Sequence, residues 1–548
     1  MPVAGHGPVI IVGRGPVGMV TALQLAAMGV RSAVLGQQAI DQVEHGSRAV
    51  LIAGHVVEIA LRLGVGQSIL DEGLAWTTGR VFVRGKEVET RRVASLPGMV
   101  PRVLNLTQQR VEELLLAQVR HEPLITLISD ATVTGVDLDP DQQGATVSYK
   151  IAAEENVIRA RWLIACDGAR STVRGALRIP FTGYGHDDTF LIADIVADLP
   201  FPAERHLHFD HVANPRRTIL IHPQPGSTWH IDWQVGQEVN AQAELANGGL
   251  DRRLRHLTGD IPYEVRWVTA YKFKQLRAEQ FRRGCAFLAG DAAHLTSPYG
   301  ARGMNSGIAD AQNIGWRLGM VVRGWSAETL LDGYCTEREF AARENLSITG
   351  KTARFMCPRS RRERLWQRAV LAGARRFPAF GRYVDSGRFY EPPAYPAPGH
   401  HATRSGALSV GQLAPDAVLA EAVSGARRLR ELLAGGVSVV WFRGAGEHNP
   451  EHAARALAAS LPPGFPCRLV CVGPQSPGCT PDRTYVHVTD PDAAITQAWN
   501  RPAVPAAGRM FIIRPDAYIA AIVDPPDLTP ESDLGAHVRA AFHLPPPD

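Results

Sequence analysis

The stretch "VIIVGRGPVGMVTALQLAAMGVRSAVL", Val9 to Leu35, sets Gly13, Gly15 and Gly18 between an apolar run and a helical pattern of alanines and leucines. A second β-branched run closes it, which makes a βαβ unit. The G-x-G-x-x-G spacing answers a physical need. The glycines permit a tight strand-to-helix turn and let a pyrophosphate approach the helix N-terminus, where backbone N–H groups and the helix dipole favour an anion. The same fingerprint predicts an acid at the end of the second strand, where a carboxylate accepts from both ribose hydroxyls. That position is Gly36. Gln37 or Gln38 offers a neutral acceptor there, and Asp41 and Glu44 stand close enough in sequence to reach back.

The chain has 548 residues, room for two to four domains. A formal charge of +4, with basic residues scattered apart from a cluster around Arg359 to Arg364, argues against a nucleic-acid partner. No apolar run is long enough to span a bilayer, and the start lacks a signal-peptide pattern, so a cytoplasmic protein is expected. Seven widely spaced cysteines fit reduced thiols, and no Cys/His grouping has zinc spacing, so no metal is expected.

Strand-like alternation in "RTILIHPQPGSTWHIDWQVG" and "YEVRWVTAYKFKQL" predicts a mostly antiparallel sheet over about 181–275, inserted into the α/β frame of 1–180 and 276–395. The segment after Gly303 reads as helical to about Ala374. A Pro- and His-rich linker over 396–410 leads to short strands alternating with helices, a separate α/β domain over 411–548.

Two further pieces carry chemistry. "CDGARSTVR", Cys166 to Arg174, places Asp167 and Gly168 at a strand end. "GDAAHLTSPYGARGMNSGIADAQN", Gly290 to Asn313, places Asp291 at the end of a buried strand and Gly303 at a helix start. In this order and spacing, with "GSRAV" at Gly46 to Val50 and "LLDGYCTERE" at Leu330 to Glu339, the three pieces resemble the class A flavoprotein monooxygenases. Over about 8–395 and in its C-terminal extension the chain looks most similar to 3-(3-hydroxyphenyl)propionate hydroxylase-like members.

The resemblance implies a Rossmann-like FAD-binding domain, an inserted substrate-binding sheet and a thioredoxin-like C-terminal domain without a redox cysteine pair. It implies that Gly13, Gly15, Gly18, Arg48, Gln108, Asp167, Asp291, Pro298, Gly303, Met304 and Asn305 hold FAD, with Gln37 standing near the ribose. Pro298 then lies by the reactive edge of the flavin, and Arg302 is an extra cation near the ring. A helix N-terminus aimed at the flavin pyrimidine suits the negative charge of its reduced form.

With no second glycine fingerprint, NADH or NADPH is expected to visit without a Rossmann domain of its own. The implied reaction is hydroxylation of an aromatic ring through a flavin C4a-hydroperoxide, with O2 as co-substrate and a homodimer as the assembly. A phenolate is a better nucleophile than a phenol, so a base is useful. On the inserted sheet His222 is the preferred base, Tyr271 a catalytic or wall residue, and His230, Asp232, Trp233 and Arg277 substrate-binding candidates. Two alternatives stay open: epoxidation or Baeyer–Villiger oxidation on the same scaffold, and a non-catalytic protein that binds an aromatic ligand.

Overall fold

The computed structural model describes residues 9–43, 50–358, 360–374, 376–377, 380, 390–396, 408–442, 450–473, 484–499, 509–523 and 534–546. Strands Val9–Val12, Ser32–Leu35, Ile125–Ile128, Leu163–Ala165 and Ala286–Leu288 pair in parallel, and Arg282–Arg283 adds an antiparallel edge. Every residue of Val9–Val12 and Ser32–Leu35 is buried. That is why these strands read as unbroken apolar runs: both faces of the parallel sheet are covered, one by the helix Pro16–Ala27 and the other by the antiparallel strands Ala131–Leu138 and Ala145–Ile151.

The helix Pro16–Ala27 packs tightly onto this sheet. A methyl at Gly18 would stand 1.9 Å from the Gly13 carbonyl oxygen, and one at Gly13, whose φ is +109°, would stand 2.2 Å from the Cys166 carbonyl oxygen. Both glycines therefore serve backbone-to-backbone approach.

The second large sheet has eight strands in the order His294–Leu295, Glu264–Ala278, Phe181–Val196, Thr228–Val235, Asn214–Gln224, Arg205–His211, Thr78–Val83 and Lys86–Arg92. It is antiparallel except where Arg205–His211 runs parallel to Thr78–Val83. The sheet expected over 181–275 thus takes two strands from earlier in the chain, and its longest pairing runs on to Ala278. Side-chain alternation divides it into two faces. Leu191, Ile219, Ile231 and Trp233 pack with Leu250 and Leu254 of the helix Gly249–Thr258 on one face. Phe190, Ile192, Leu207 and Tyr271 turn the other way, toward the parallel sheet.

The C-terminal part holds a five-stranded sheet ordered Tyr485–Val488, Cys467–Val472, Val437–Phe442, Arg509–Ile513 and Ile519–Val523, the first three parallel and the last two antiparallel. This is the thioredoxin-like arrangement. Every residue of its central strand Val437–Phe442 is buried. Cys467 and Cys471 lie on one strand, and the described cysteines are free thiols.

Buried polar contacts tie this sheet to the rest. Arg514 is bonded to Glu337 and Asp516, and the Trp316 indole donates to Asp516 at 2.9 Å. Arg338, fully buried, donates to Asp310 at 2.6 Å and to the Tyr395 hydroxyl at 2.6 Å. No helix among the described residues is long and apolar enough to cross a membrane.

Candidate functional site

A cavity of about 440 Å³ runs from the glycine turn to the inward face of the eight-stranded sheet. Its first half is lined by Gly15, Pro16, Val17, Gln38, Gln108, Glu112, Gly168 and Ala169. The middle is closed by Asp291, Pro298, Gly303 and Met304, and the far half by Phe190, Arg205, His222, His230, Asp232 and Tyr271. Local structure explains the convergence. Strand ends of the parallel sheet deliver the turns after Val12 and Ala165 to one edge. The helix Gln108–His121 begins at that edge, with the Thr107 side chain accepting from the Arg110 N–H.

The first half fits a dinucleotide. A methyl on Gly15 would meet no protein atom within 4 Å, so this glycine borders open space rather than packing, as a pyrophosphate approach requires. The helix Gly303–Val322 starts without a side-chain cap, and its first residues Gly303 and Met304 face the cavity. Its unpaired N–H groups and dipole offer stabilisation to an anion there. Asp291, exposed at the cavity wall, stands beside that start in a segment held from behind. Asp310 accepts from the Gly290 N–H at 2.9 Å and contacts His294 Nε2 at 2.8 Å. Arg338 holds the Asp310 carboxyl ionised despite complete burial, so its pKa lies below the usual range.

Several expected FAD residues do other work. Gly13 and Gly18 are packing glycines. Gln37 is exposed and outside the cavity, whereas Gln38 lines it. The Asp167 carboxylate accepts from the Val173 N–H at 3.1 Å and so caps the short helix Thr172–Ala176, leaving the backbone of Gly168 and Ala169 at the cavity wall. The Asn305 amide accepts from the Ala53 N–H and donates to the Leu51 carbonyl, both at 2.9 Å, which fastens the helix to a neighbouring strand. Arg302 lines the cavity, but its guanidinium donates to Asn345 at 2.6 Å. Arg48 lies outside the described residues.

The far half is aromatic with one polar corner. Tyr299, Phe190, Phe273 and Tyr271 stand in that order with successive ring centroids 5.0 to 5.9 Å apart. The polar corner is set by cross-strand register, since His222 and His230 lie directly opposite each other with ring centroids 6.2 Å apart.

His230 Nδ1 is 2.6 Å from Asp194 and its Nε2 is 3.4 Å from Asp232. Burial opposes a charge on this ring, but the Asp232 and Asp194 carboxylates outweigh it and raise its pKa to about 10. His230 is therefore an imidazolium at neutral pH. His222 is the reverse case. Burial first, then the cations of Arg205 and His230, push its pKa well below the usual value, and its ring stays neutral with Nδ1 unbonded to protein.

Two sheet candidates fall elsewhere. Trp233 is odd-numbered on a strand whose cavity-facing residues are His230 and Asp232, so its indole is buried on the opposite face. Arg277 sits beyond the cavity at a strand end, opposite Thr182 and His294, and donates to the Ala278 carbonyl at 3.0 Å. Conversely, Arg205, Asp194 and Glu112 were not among the sequence candidates. Alternation in "RHLHFDH" puts Arg205 with Leu207 on one face, but nothing local says that this face looks into the cavity.

Residues 6–349 match the family model described as FAD binding domain. A 345-residue stretch is 30% identical to 6-methylpretetramide 4-monooxygenase of Streptomyces rimosus, covering 62% of this chain and 60% of that protein. A 397-residue stretch is 29% identical to 3-(3-hydroxy-phenyl)propionate/3-hydroxycinnamic acid hydroxylase of Mycobacterium sp. (strain KMS), covering 71% of this chain and 66% of that protein. The crystal structure of the flavin-dependent monooxygenase PieE, in complex with FAD and substrate, shares the fold over 99% of this chain and 100% of its own, with a TM-score of 0.79 and 20% identity. With the glycine turn, the Asp291 segment and the uncapped helix start all bordering one cavity, the chain belongs to the FAD-binding-domain family.

Proposed function

We propose that the protein is an FAD- and NAD(P)H-dependent monooxygenase that hydroxylates a phenolic ring. The carrying observation is a single cavity that joins the FAD-binding turns to an aromatic chamber with a histidine and two cations at its polar corner. The names of the relatives, a 4-monooxygenase acting on 6-methylpretetramide and a hydroxylase of 3-(3-hydroxyphenyl)propionate, support the same class.

When bound, FAD accepts hydride from the nicotinamide and supplies the activated oxygen. The residues of this chain do the rest. Gly15 lets the pyrophosphate approach, Asp291 takes hydroxyls of the ribitol chain, and the helix start at Gly303 and Met304 favours negative charge on the pyrimidine side. Pro298 lines the cavity between its two halves, where it would stand beside the bound flavin. Phe190, Phe273, Tyr271 and Tyr299 enclose the substrate ring and exclude water.

Neutral His222 accepts the hydrogen bond of the phenol and takes its proton as the phenolate forms. The Arg205 guanidinium and the His230 imidazolium stabilise that phenolate, which lets a weak base such as His222 suffice. On this reading 1–180 and 276–395 form the FAD-binding domain, 181–275 the core of the substrate sheet and 411–548 the C-terminal domain. O2 is the co-substrate, and the enzyme works in the cytoplasm as a homodimer.

The test is the anaerobic rate of flavin bleaching by NADH and by NADPH on FAD-loaded protein, with and without a panel of phenols. Acceleration by orders of magnitude with one phenol, followed by an aerobic product carrying one added oxygen, is the expected result. A flavin that bleaches at one rate whatever phenol is present, with no oxygenated product, overturns it.

A further inference from the structure

The fingerprint acid missing at Gly36 has a structural cause. A methyl at Gly36 would stand 2.7 Å from Arg14 Cβ and 3.2 Å from its Nε, so the Arg14 side chain fills the place where a strand-end carboxylate would start. That guanidinium is buried and donates to the carbonyls of Ile40 at 2.8 Å, Ala39 at 2.8 Å and Gln42 at 2.6 Å. It holds the loop after the second strand in a fixed shape.

The acids of that loop and its neighbourhood do not take over. Asp41 is bound to Arg120 at the surface, with its side chain 71% exposed, and Glu44 lies outside the described residues. Gln37 is exposed. The carboxylate that does reach the cavity is Glu112, one turn into the helix Gln108–His121. It is 8% exposed, and the Gln108 amide donates to it at 2.7 Å, which fixes its direction. Of the acidic groups around Arg14 it exerts the largest attraction, ahead of Asp130 and Asp41, and Gln38 lines the same part of the cavity. Glu112 thus stands between the glycine turn and the end of the second strand, the region the adenosine ribose occupies in this fold.

We infer that Glu112, delivered from the helix Gln108–His121, binds the adenosine ribose hydroxyls of FAD in place of the strand-end acid that Arg14 excludes at Gly36. The inference rests on FAD as cofactor and not on hydroxylation, so failure of every phenol to be turned over leaves it standing.

The test is titration of the apoprotein, followed by flavin fluorescence, with FAD, with FAD lacking the adenosine 2′-hydroxyl, and with FMN, which has no adenosine. Glu112→Gln keeps the shape and the Gln108 contact. It is expected to weaken FAD about ten- to a hundredfold, the range of a hydrogen bond to a charged group. FMN affinity is expected to stay the same. Removing the 2′-hydroxyl is expected to weaken binding to the native protein and to cost Glu112→Gln clearly less, since the charged acceptor is already gone and only a neutral amide remains. Two results overturn the inference. One is equal loss of FAD and FMN in the variant, which marks Glu112 as structural. The other, which needs no variant at all, is a native protein that binds FAD and its 2′-deoxy form equally well.

Discussion

Gly15 and Gly18 are three residues apart in one motif, yet substituting each by alanine should fail in opposite ways. At Gly18 the new methyl would stand 1.9 Å from the Gly13 carbonyl oxygen and 3.1 Å from its carbon, against an ordinary contact of about 3.5 Å. Helix and strand must separate by more than ~1 Å, and because the obstacle is backbone, no rotamer change relieves it. Overpacking costs about 1–3 kcal/mol and occasionally more, and the better helix propensity of alanine returns only about 1 kcal/mol. A net loss of ~2 kcal/mol or more is a large part of a typical stability of about 5–15 kcal/mol.

At Gly15 the methyl meets nothing within 4 Å, and the backbone, with φ −74° and ψ −179°, suits any residue. Stability should therefore change by no more than about 1 kcal/mol. The methyl instead occupies the cavity edge where the pyrophosphate approaches, and FAD affinity should fall about ten- to a hundredfold. Urea unfolding of the two apoproteins, paired with FAD titration of each, separates the cases. A Gly15→Ala apoprotein as unstable as Gly18→Ala, with native FAD affinity, would refute the assignment of the two glycines.

Replacing His222 by Gln should lower phenol hydroxylation at pH 7 by about a hundredfold, within the range of general-base effects, with FAD affinity unchanged. The rate should recover above the phenol's own pKa, and a variant with a native pH profile contradicts the role. The raised pKa of His230 links stability to pH. Its contribution is complete below about 6.5, the ordinary value, and is lost as pH rises through about 10. The stability gap between native protein and His230→Gln, from urea melts, should shrink steadily over that window, and a constant gap rejects a charged His230. Asp310→Asn strands the Arg338 guanidinium, itself 0% exposed, at a cost of about 3–5 kcal/mol. The same change loosens the segment that carries Asp291, so thermal melts should show a lower Tm and titration a weaker FAD complex. A native Tm would show that Arg338 finds other partners.

The βαβ opening, the glycine turn and the parallel sheet were legible locally, because turn geometry and apolar runs depend on residues near one another in the chain. So was Gly303 as the start of a helix. Alternation places His230 with Asp232 and Trp233 on the other face, so the three could not all have faced one ligand as the sequence candidates supposed. It could not say which face meets the flavin side, since a period of two is symmetric until something packs on one face. For that reason Trp233 was a natural candidate and Arg205 was not.

Arg277 illustrates a second limit. It shares the parity of Tyr271, but the distance along the strand at which the cavity ends is set by the loops that close it. Charge states lay furthest from reach. That His230 is an imidazolium follows from Asp232 and from Asp194, 36 residues away in sequence, and that His222 is neutral follows from burial and then Arg205; apart from Asp232, all of these arrive only with strand pairing. The sequence of this chain dictates its turns, its periodicities and the cofactor that fits them. Only the tertiary structure decides which side chains face one another, because electrostatics and packing act through space and distant strands meet only when the sheet closes.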